Sequence, residues 1–338
     1  ERAGRRPPPH GDARQLSVTH IGIRKLRCAV GRGRNPLHPK ERSVPKDVFQ
    51  VDAFADRPLF GNPAAVVFDA DDLSTEMMQK IAQETNLSET VFLCRPTVAE
   101  ADYRLRIFTP RSELPFAGHP TIAAAHAFLS RDETRRGQKL LRQECGIGIV
   151  PIEIRDGAEG RVLWMTQASP TFRDVDLPRS VLAGMLGCGE AELADSPAQV
   201  VSTGVPWLLI PVREVATVAR LSPDQSLIAC ESEKIGATGA TAFAEHDRSS
   251  PVRVRVRTFA PGEGISEDPV CGAGNGAIAA YIAQHRDTTE PRGAYRAEQG
   301  IEIGRNGTVH VAWERKNGSI EVKVGGQAAT VMEGRLLV

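Results

Sequence analysis

Net charge is what this chain most plainly lacks. Its 42 Lys and Arg balance 42 Asp and Glu over 338 residues, so the formal charge is zero. Such a balance does not point to a nucleic-acid partner for the chain as a whole. No apolar run approaches the ~20 residues that a helical membrane span needs, so no membrane partner is expected. The six cysteines, at 28, 94, 145, 188, 230 and 271, include no Cys-X-X-Cys pair. That spacing argues against a zinc site or a disulfide framework and favours free thiols in a reducing, cytoplasmic setting. Gly-X-Ser-X-Gly and His-Glu-X-X-His are also missing. Gly272-X-Gly274-X-Gly276 lacks the dinucleotide spacing and the Lys-Ser/Thr of a phosphate loop, and Glu267 and Asp268 before it would repel phosphates.

What is present is a soluble globular composition, 41 % hydrophobic and 25 % charged, with length for two domains. The neutral total hides an asymmetry. Residues 1–46 hold nine Arg, three Lys and three acidic residues, a net of +9, which leaves about −9 for the rest by difference. With Pro7-Pro8-Pro9 and few large apolar residues, this segment cannot build a core, and a disordered basic tail is expected. An Arg-rich transit peptide is the functional alternative.

Two stretches repeat one pattern. Tyr103-Arg104-Leu105-Arg106-Ile107-Phe108-Thr109-Pro110 leads into Ala117-Gly118-His119-Pro120-Thr121 and an Ala-rich helix. Val252-Arg253-Val254-Arg255-Val256-Arg257-Thr258-Phe259-Ala260-Pro261 leads into Cys271-Gly272-Ala273-Gly274-Asn275 and another. Gly61-Asn62-Pro63 before one strand is likewise echoed by Gly204-Val205-Pro206 before a second. Two matched pairs in one order imply two similar domains. Facing each other, they bring two helix N-termini to one cleft, which suits an anion whose charge grows during a reaction.

Strands are expected over 48–54, 64–68, 90–93, 103–108, 148–154, 162–166, 308–313, 320–324 and 329–332. A helix should follow an N-cap at Ser74, with Leu73, Met77, Ile81 and Ala82 on its apolar face, and others should span 120–129 and 178–186. Residues 236–250 read as a mobile loop that shapes the pocket. Helices and strands mix without strict alternation, so the fold class is α+β.

Glu89 stands just before an apolar strand, where burial raises a carboxyl toward proton-transfer range; the plain alternative is a surface carboxylate. His119 opens a helix, and the dipole there favours a neutral imidazole; it is equally read as a structural or capping residue. Asp268 is a second acid/base group, an orienter of His119, or a cap. Cys271 is either a thiolate activated by a helix N-terminus or a small buried hydrophobe. The amides around Gly118, Gly272, Ala273 and Gly274 suit a carboxylate. For Trp207 core packing is expected, and for Arg257 a solvated strand face.

Val51-Asp52-Ala53-Phe54, Gly61-Asn62-Pro63-Ala64, Ser88-Glu89-Thr90-Val91-Phe92, Phe116-Ala117-Gly118-His119-Pro120-Thr121 and Glu267-Asp268-Pro269-Val270 occur in that order. At these residues the sequence resembles the PhzF family, the phenazine-biosynthesis isomerases of the diaminopimelate-epimerase-like fold. The resemblance implies two pseudosymmetric domains, each a curled β-sheet or barrel around a central helix. One spans 47–165 with the last strand, about 326–338, and the other 166–325. It implies a homodimer, no metal and no organic cofactor. It also implies a small carboxylate substrate resembling trans-2,3-dihydro-3-hydroxyanthranilate. Glu89 then takes a proton from one carbon and returns it to another, His119 and Asp268 assist, and Gly118, Cys271, Gly272, Ala273 and Gly274 hold the carboxylate.

After Val270 the usual Thr-Gly-Ser is replaced by Cys271-Gly272-Ala273. Cys271 is similar to the cysteine of true epimerases, but its counterpart is Ala117, so a two-thiol racemase is not expected. An epimerase using Glu89 and Cys271, and a non-catalytic ligand-binding homologue, remain as alternatives.

Overall fold

A computed structural model describes residues 44–338 apart from 136, 248, 286–289 and 317. The expectations placed on residues 1–43 lie outside the described residues. The tail boundary after 46 is corrected: Lys46 is the first residue of a strand, and its ammonium reaches the Asp69 carbonyl at 2.8 Å and Asp72 at 2.5 Å.

The described chain runs twice through one order. The first pass is β1 (Lys46–Ala53), β2 (Asn62–Val67), α1 (Thr75–Thr85), β3 (Glu89–Cys94), β4 (Tyr103–Phe108), β5 (Glu113–Leu114), α2 (Gly118–Arg131), β6 (Leu140–Cys145), β7 (Gly148–Gly157), β8 (Gly160–Thr166) and β9 (Thr171–Asp174). After α3 (Arg179–Leu186) come β10 (Gln199–Ser202), β11 (Pro206–Pro211), α4 (Val215–Arg220), α5 (Gln225–Lys234), β12 (Ala240–Glu245), β13 (Val254–Ala260) and β14 (Ile265–Asp268). The second pass then closes with α6 (Gly272–His285), β15 (Arg292–Gln299), β16 (Gly307–Lys316), β17 (Ser319–Gly326) and β18 (Ala328–Leu336).

The pairing repeats as well. β1–β2 is antiparallel, β2–β3 parallel, β3–β4 antiparallel and β4–β6 parallel. β10–β11, β11–β12, β12–β13 and β13–β15 follow the same signs. The halves join through β8 and β17, and they exchange strands: β9 pairs with β10, and β18 returns to β1. The result is α+β, a large curled sheet with few helices.

Simple patterning builds these elements. In β4, Tyr103, Leu105 and Ile107 are buried while Arg104 and Arg106 are half-buried, the alternation of a one-faced strand. In α2, Ile122, Ala123, Ala124, Ala125 and Ala127 are all wholly buried, so the helix is apolar nearly all round. Such a helix belongs inside a core, and its small side chains let the sheet curl close. It packs on β1, β2, β3, β4, β8 and β18, while α6 packs on β10, β11, β16 and β17. Ser74 caps α1 as expected, accepting from the Met77 amide at 3.2 Å. The apolar face differs by one residue: Met78, Ile81 and Ala82 are buried and Met77 is exposed. The loop expected over 236–250 is also corrected. Residues Ala240–Ala244 form buried strand, because a run of small residues and one Phe fits between β11 and β13.

The turn after β1 carries the tightest packing. Phe54 is wholly buried in a left-handed conformation, φ 61°, a costly arrangement for an aromatic residue. Its ring occupies space left open by two glycines of the second half. A Cβ on Gly326 would lie 2.3 Å from Phe54 Cδ1, and one on Gly272 3.1 Å from Cζ. Its carbonyl accepts from the Thr308 amide at 2.9 Å. Gly326→Ala is therefore expected to destabilise the fold by about 1–3 kcal/mol, read as a lower midpoint in denaturant unfolding. An unchanged midpoint would contradict the packing described.

Candidate active site

Glu89 is the first residue of β3, held opposite Ala64 by parallel pairing with β2. His119 lies in the first turn of α2, whose N-cap Ala117 offers no capping side chain. Their side chains meet at 3.0 Å between Glu89 Oε2 and His119 Nε2, with only 12 % and 10 % of their side-chain surfaces exposed. The contact is an ion pair rather than a well-aligned hydrogen bond, and Oε2 is buried with no aligned donor among the described residues. Ser88 Oγ stands 3.4 Å from the same ring nitrogen.

The electrostatics correct two expectations. Burial pushes the Glu89 carboxyl up, but the His119 charge and the close polar contacts of His119 and Ser88 outweigh it, leaving Glu89 below its ordinary value. Burial likewise disfavours the His119 imidazolium. The charge and close contact of Glu89, the charge of Asp268 and the nearby Pro63 backbone raise it above the ordinary value. Two nearby carboxylates therefore outweigh the helix dipole, since each carries a full charge against the roughly half charge of a helix end. Both shifts favour the charged form of the pair.

Asp268 ends β14 and joins the same cluster from the second half. Burial, only partly offset by the His119 charge, raises its carboxyl to about 6; the Glu89 charge adds to the rise. Its Oδ1 accepts from Asn62 Nδ2 at 2.8 Å and from the Val270 amide at 3.1 Å, the latter a local turn rather than a helix cap. Asn62 also donates to the Val270 carbonyl at 3.1 Å. Gln299 ties the segment together, donating to the Asp268 carbonyl at 2.9 Å and accepting from the Cys271 amide at 3.1 Å and from Asn275 at 2.9 Å.

Cys271 is 6 % exposed, and burial together with the Asp268 charge drives its thiol well above the ordinary value. The thiolate alternative gives way to the small buried residue. Its sulfur accepts from the Gly274 amide at 3.2 Å, so it caps the start of α6. Gly118 and Gly272–Gly274 lie in the first turns of α2 and α6.

The two passes align residue by residue here. Leu114-Pro115-Phe116-Ala117-Gly118-His119 matches Asp268-Pro269-Val270-Cys271-Gly272-Ala273. The register of β11 on β12 sets Gly239 where β2 on β3 sets Glu89. Glu89, His119, Asp268 and Cys271 thus each have a non-ionisable counterpart in the other half. Sequence reasoning treated Asn62 as a turn residue and passed over Asn275 and Gln299. Trp207 packs in the core, with Nε1 lacking a hydrogen-bond partner among the described residues. Arg257 is not on a solvated face. It is buried, bidentate to Glu267 at 2.9 and 2.7 Å, and donates to the Leu221 carbonyl at 2.8 Å.

Two outcomes follow from this geometry. On brief treatment with iodoacetamide at pH 7.5, exposed Cys230 should be modified before buried Cys271; peptide mapping that finds Cys271 first would contradict its burial. Asp268 concerns stability. Its folded value, about 6, lies above the ordinary 3.8, so the native state binds this proton more tightly than the unfolded chain. That stabilisation is present at low pH and is lost as pH rises from about 4 through about 6. Asp268→Asn should then gain on the order of 2 kcal/mol over the wild type at pH 7.5 and nothing near pH 4. An equal offset at both pH values in urea unfolding would contradict it.

Comparisons with known proteins place this arrangement. The PhzC-PhzF family profile, described as phenazine biosynthesis-like protein, matches residues 51–334. The trans-2,3-dihydro-3-hydroxyanthranilate isomerase of Pseudomonas aeruginosa is 35 % identical over 289 residues, covering 84 % of this chain and 97 % of that protein. Antisense-enhancing sequence 1 of Schizosaccharomyces pombe is 35 % identical over 294 residues, 86 % of this chain and 98 % of its own. A crystal structure of a PhzF-family phenazine biosynthesis protein from Bacillus anthracis superposes with a TM-score of 0.81 at 30 % identity, covering 87 % of this chain and all of that one (100 %). Carrying this fold and these motifs, the chain belongs to the phenazine biosynthesis-like PhzC-PhzF family, an isomerase family built on the diaminopimelate-epimerase fold.

Proposed function

We propose that this isomerase moves a proton between carbons of a small carboxylate substrate resembling trans-2,3-dihydro-3-hydroxyanthranilate, with Glu89 as the single acid/base group. The observation that carries the reading is the buried Glu89 Oε2, ion-paired to His119 at 3.0 Å yet without an aligned donor. Glu89 is ionised and therefore ready to accept, and its free lone pair gives the proton a place to go. Its counterpart, Gly239, offers no second base on the opposite side.

Carbon acids are weak, so the barrier falls chiefly by stabilising the enolate-like intermediate. The His119 imidazolium supplies a positive charge and a proton donor beside the reacting carbons. Asp268 balances that charge from the second half. A substrate carboxylate fits the amides at Gly118, Gly272, Ala273 and Gly274, where it replaces the weak N–H to sulfur contact at Cys271 with charge-assisted hydrogen bonds. This reading divides the folded chain into 47–165 with 326–338 and 166–325, with the site between them. The two-base epimerase reading asks Cys271 for a thiolate, and burial and Asp268 hold that thiol protonated.

The test is proton exchange. Wild type and Glu89→Gln are incubated with trans-2,3-dihydro-3-hydroxyanthranilate in D2O, and deuterium entry at each carbon is followed by NMR. Loss of about 10²–10⁴-fold in turnover in the variant is expected for removal of a general acid/base. Full activity in Glu89→Gln would overturn the acid/base role. A wild type inert toward this substrate would overturn the substrate assignment.

A further inference from the structure

The turn that joins β1 to β2 touches both halves of the site. Asn62 is 2 % exposed, and its amide nitrogen donates to Asp268 Oδ1 at 2.8 Å and to the Val270 carbonyl at 3.1 Å. The backbone of the next residue, Pro63, lies by the His119 imidazole and favours its protonated form. One dipeptide thus bonds the carboxyl of the second half and adjoins the imidazole of the first.

The turn is itself fixed from both sides. Wholly buried Asp52 accepts from the Leu59 amide at 2.7 Å and from Arg305 Nη2 at 2.7 Å. Arg305, from the segment before β16, also donates to the Gly61 carbonyl at 3.0 Å and the Phe60 carbonyl at 3.0 Å. The backbone just before Asn62 is thus held by Arg305, itself paired with Asp52.

The groups acting on the Asp268 carboxyl come from several elements. His119 on α2 pulls its proton affinity down, Glu89 on β3 pushes it up, and Cys271 and the Val270 amide donate from the segment before α6. Opposed charges at close range make the net effect sensitive to position. Asn62 is the neutral side chain that donates to this carboxylate from the β1–β2 turn.

We propose that Asn62 is a positioning residue for proton transfer at Glu89, acting through Asp268 and, by way of the Pro63 backbone, through His119. It rests on the acid/base reading above but is tested apart from it. The side-chain carboxyl carbon of Asp268, assigned by its loss in Asp268→Asn, is titrated by NMR in the full chain without substrate. A wild-type midpoint of about 6 is expected. In Asn62→Ala it rises by about one unit, because the ionised carboxylate loses a donor. In Asn62→Asp, which keeps the shape but removes the N–H, it rises further. Midpoints unchanged in both variants overturn the inference.

Kinetics with trans-2,3-dihydro-3-hydroxyanthranilate give the second readout. Asn62→Ala lowers kcat by about 10–100-fold with KM near the wild type, as misplaced reacting groups do, and its acidic limb moves up in pH. Added to Asp268→Asn, it moves that limb no further. A kcat and limb equal to the wild type, or a loss confined to KM, overturns the positioning role. Full activity in Glu89→Gln instead overturns the acid/base reading, a separate measurement on a separate residue.

Discussion

A buried ion pair between Glu89 and His119 governs this structure. Taking two charges out of water is expensive, and attraction offsets the cost only where further groups satisfy both partners. Here the satisfaction comes from distant parts of the chain. Ser88 and the Pro63 backbone serve the pair from the first half, and Asp268 balances the imidazolium from the second. The exchange of β9 and β18 between halves, and the Phe54 ring seated against Gly272 and Gly326, hold those parts together. Were the halves to separate, His119 would lose the Asp268 charge and Asp268 the Asn62 amide.

The duplicated fold and its unequal residues belong to one design. Two curled sheets around alanine-rich helices form a symmetric scaffold, and the two helices touch. The side chains on that scaffold are not symmetric. Glu89 and His119 face Gly239 and Ala273 as counterparts, while Asp268 and Cys271 answer to Leu114 and Ala117. A symmetric pair of bases would suit removal of a proton on one face and return on the other. A single carboxylate with an imidazolium beside it suits removal and return by the same group.

Much of this was legible in the sequence. The Arg-alternating strands, the Gly-bearing turns and the Ala-rich helices marked the repeat, and with it the fold class. What stayed hidden depended on long-range contact. The sign of the Glu89 and His119 shifts follows from a 3.0 Å approach between residues 30 apart in sequence. Burial alone predicted the reverse for the carboxyl. Arg257 looked like a solvated residue on an alternating strand because Glu267, its buried partner, could not be paired with it from spacing. Residues 240–245 looked like a loop because small residues mark turns as well as strands squeezed between two neighbours. Asn62 looked like a turn former, and its hydrogen bond across 206 residues to Asp268 is invisible without the fold.

The central claim is that the site rests as a charged pair before any substrate arrives. Nitrogen-15 NMR of the His119 ring at pH 7.5 tests it most directly. The account predicts two protonated ring nitrogens in the wild type and a neutral, single-tautomer ring in Glu89→Gln. A neutral ring in the wild type at that pH would contradict it.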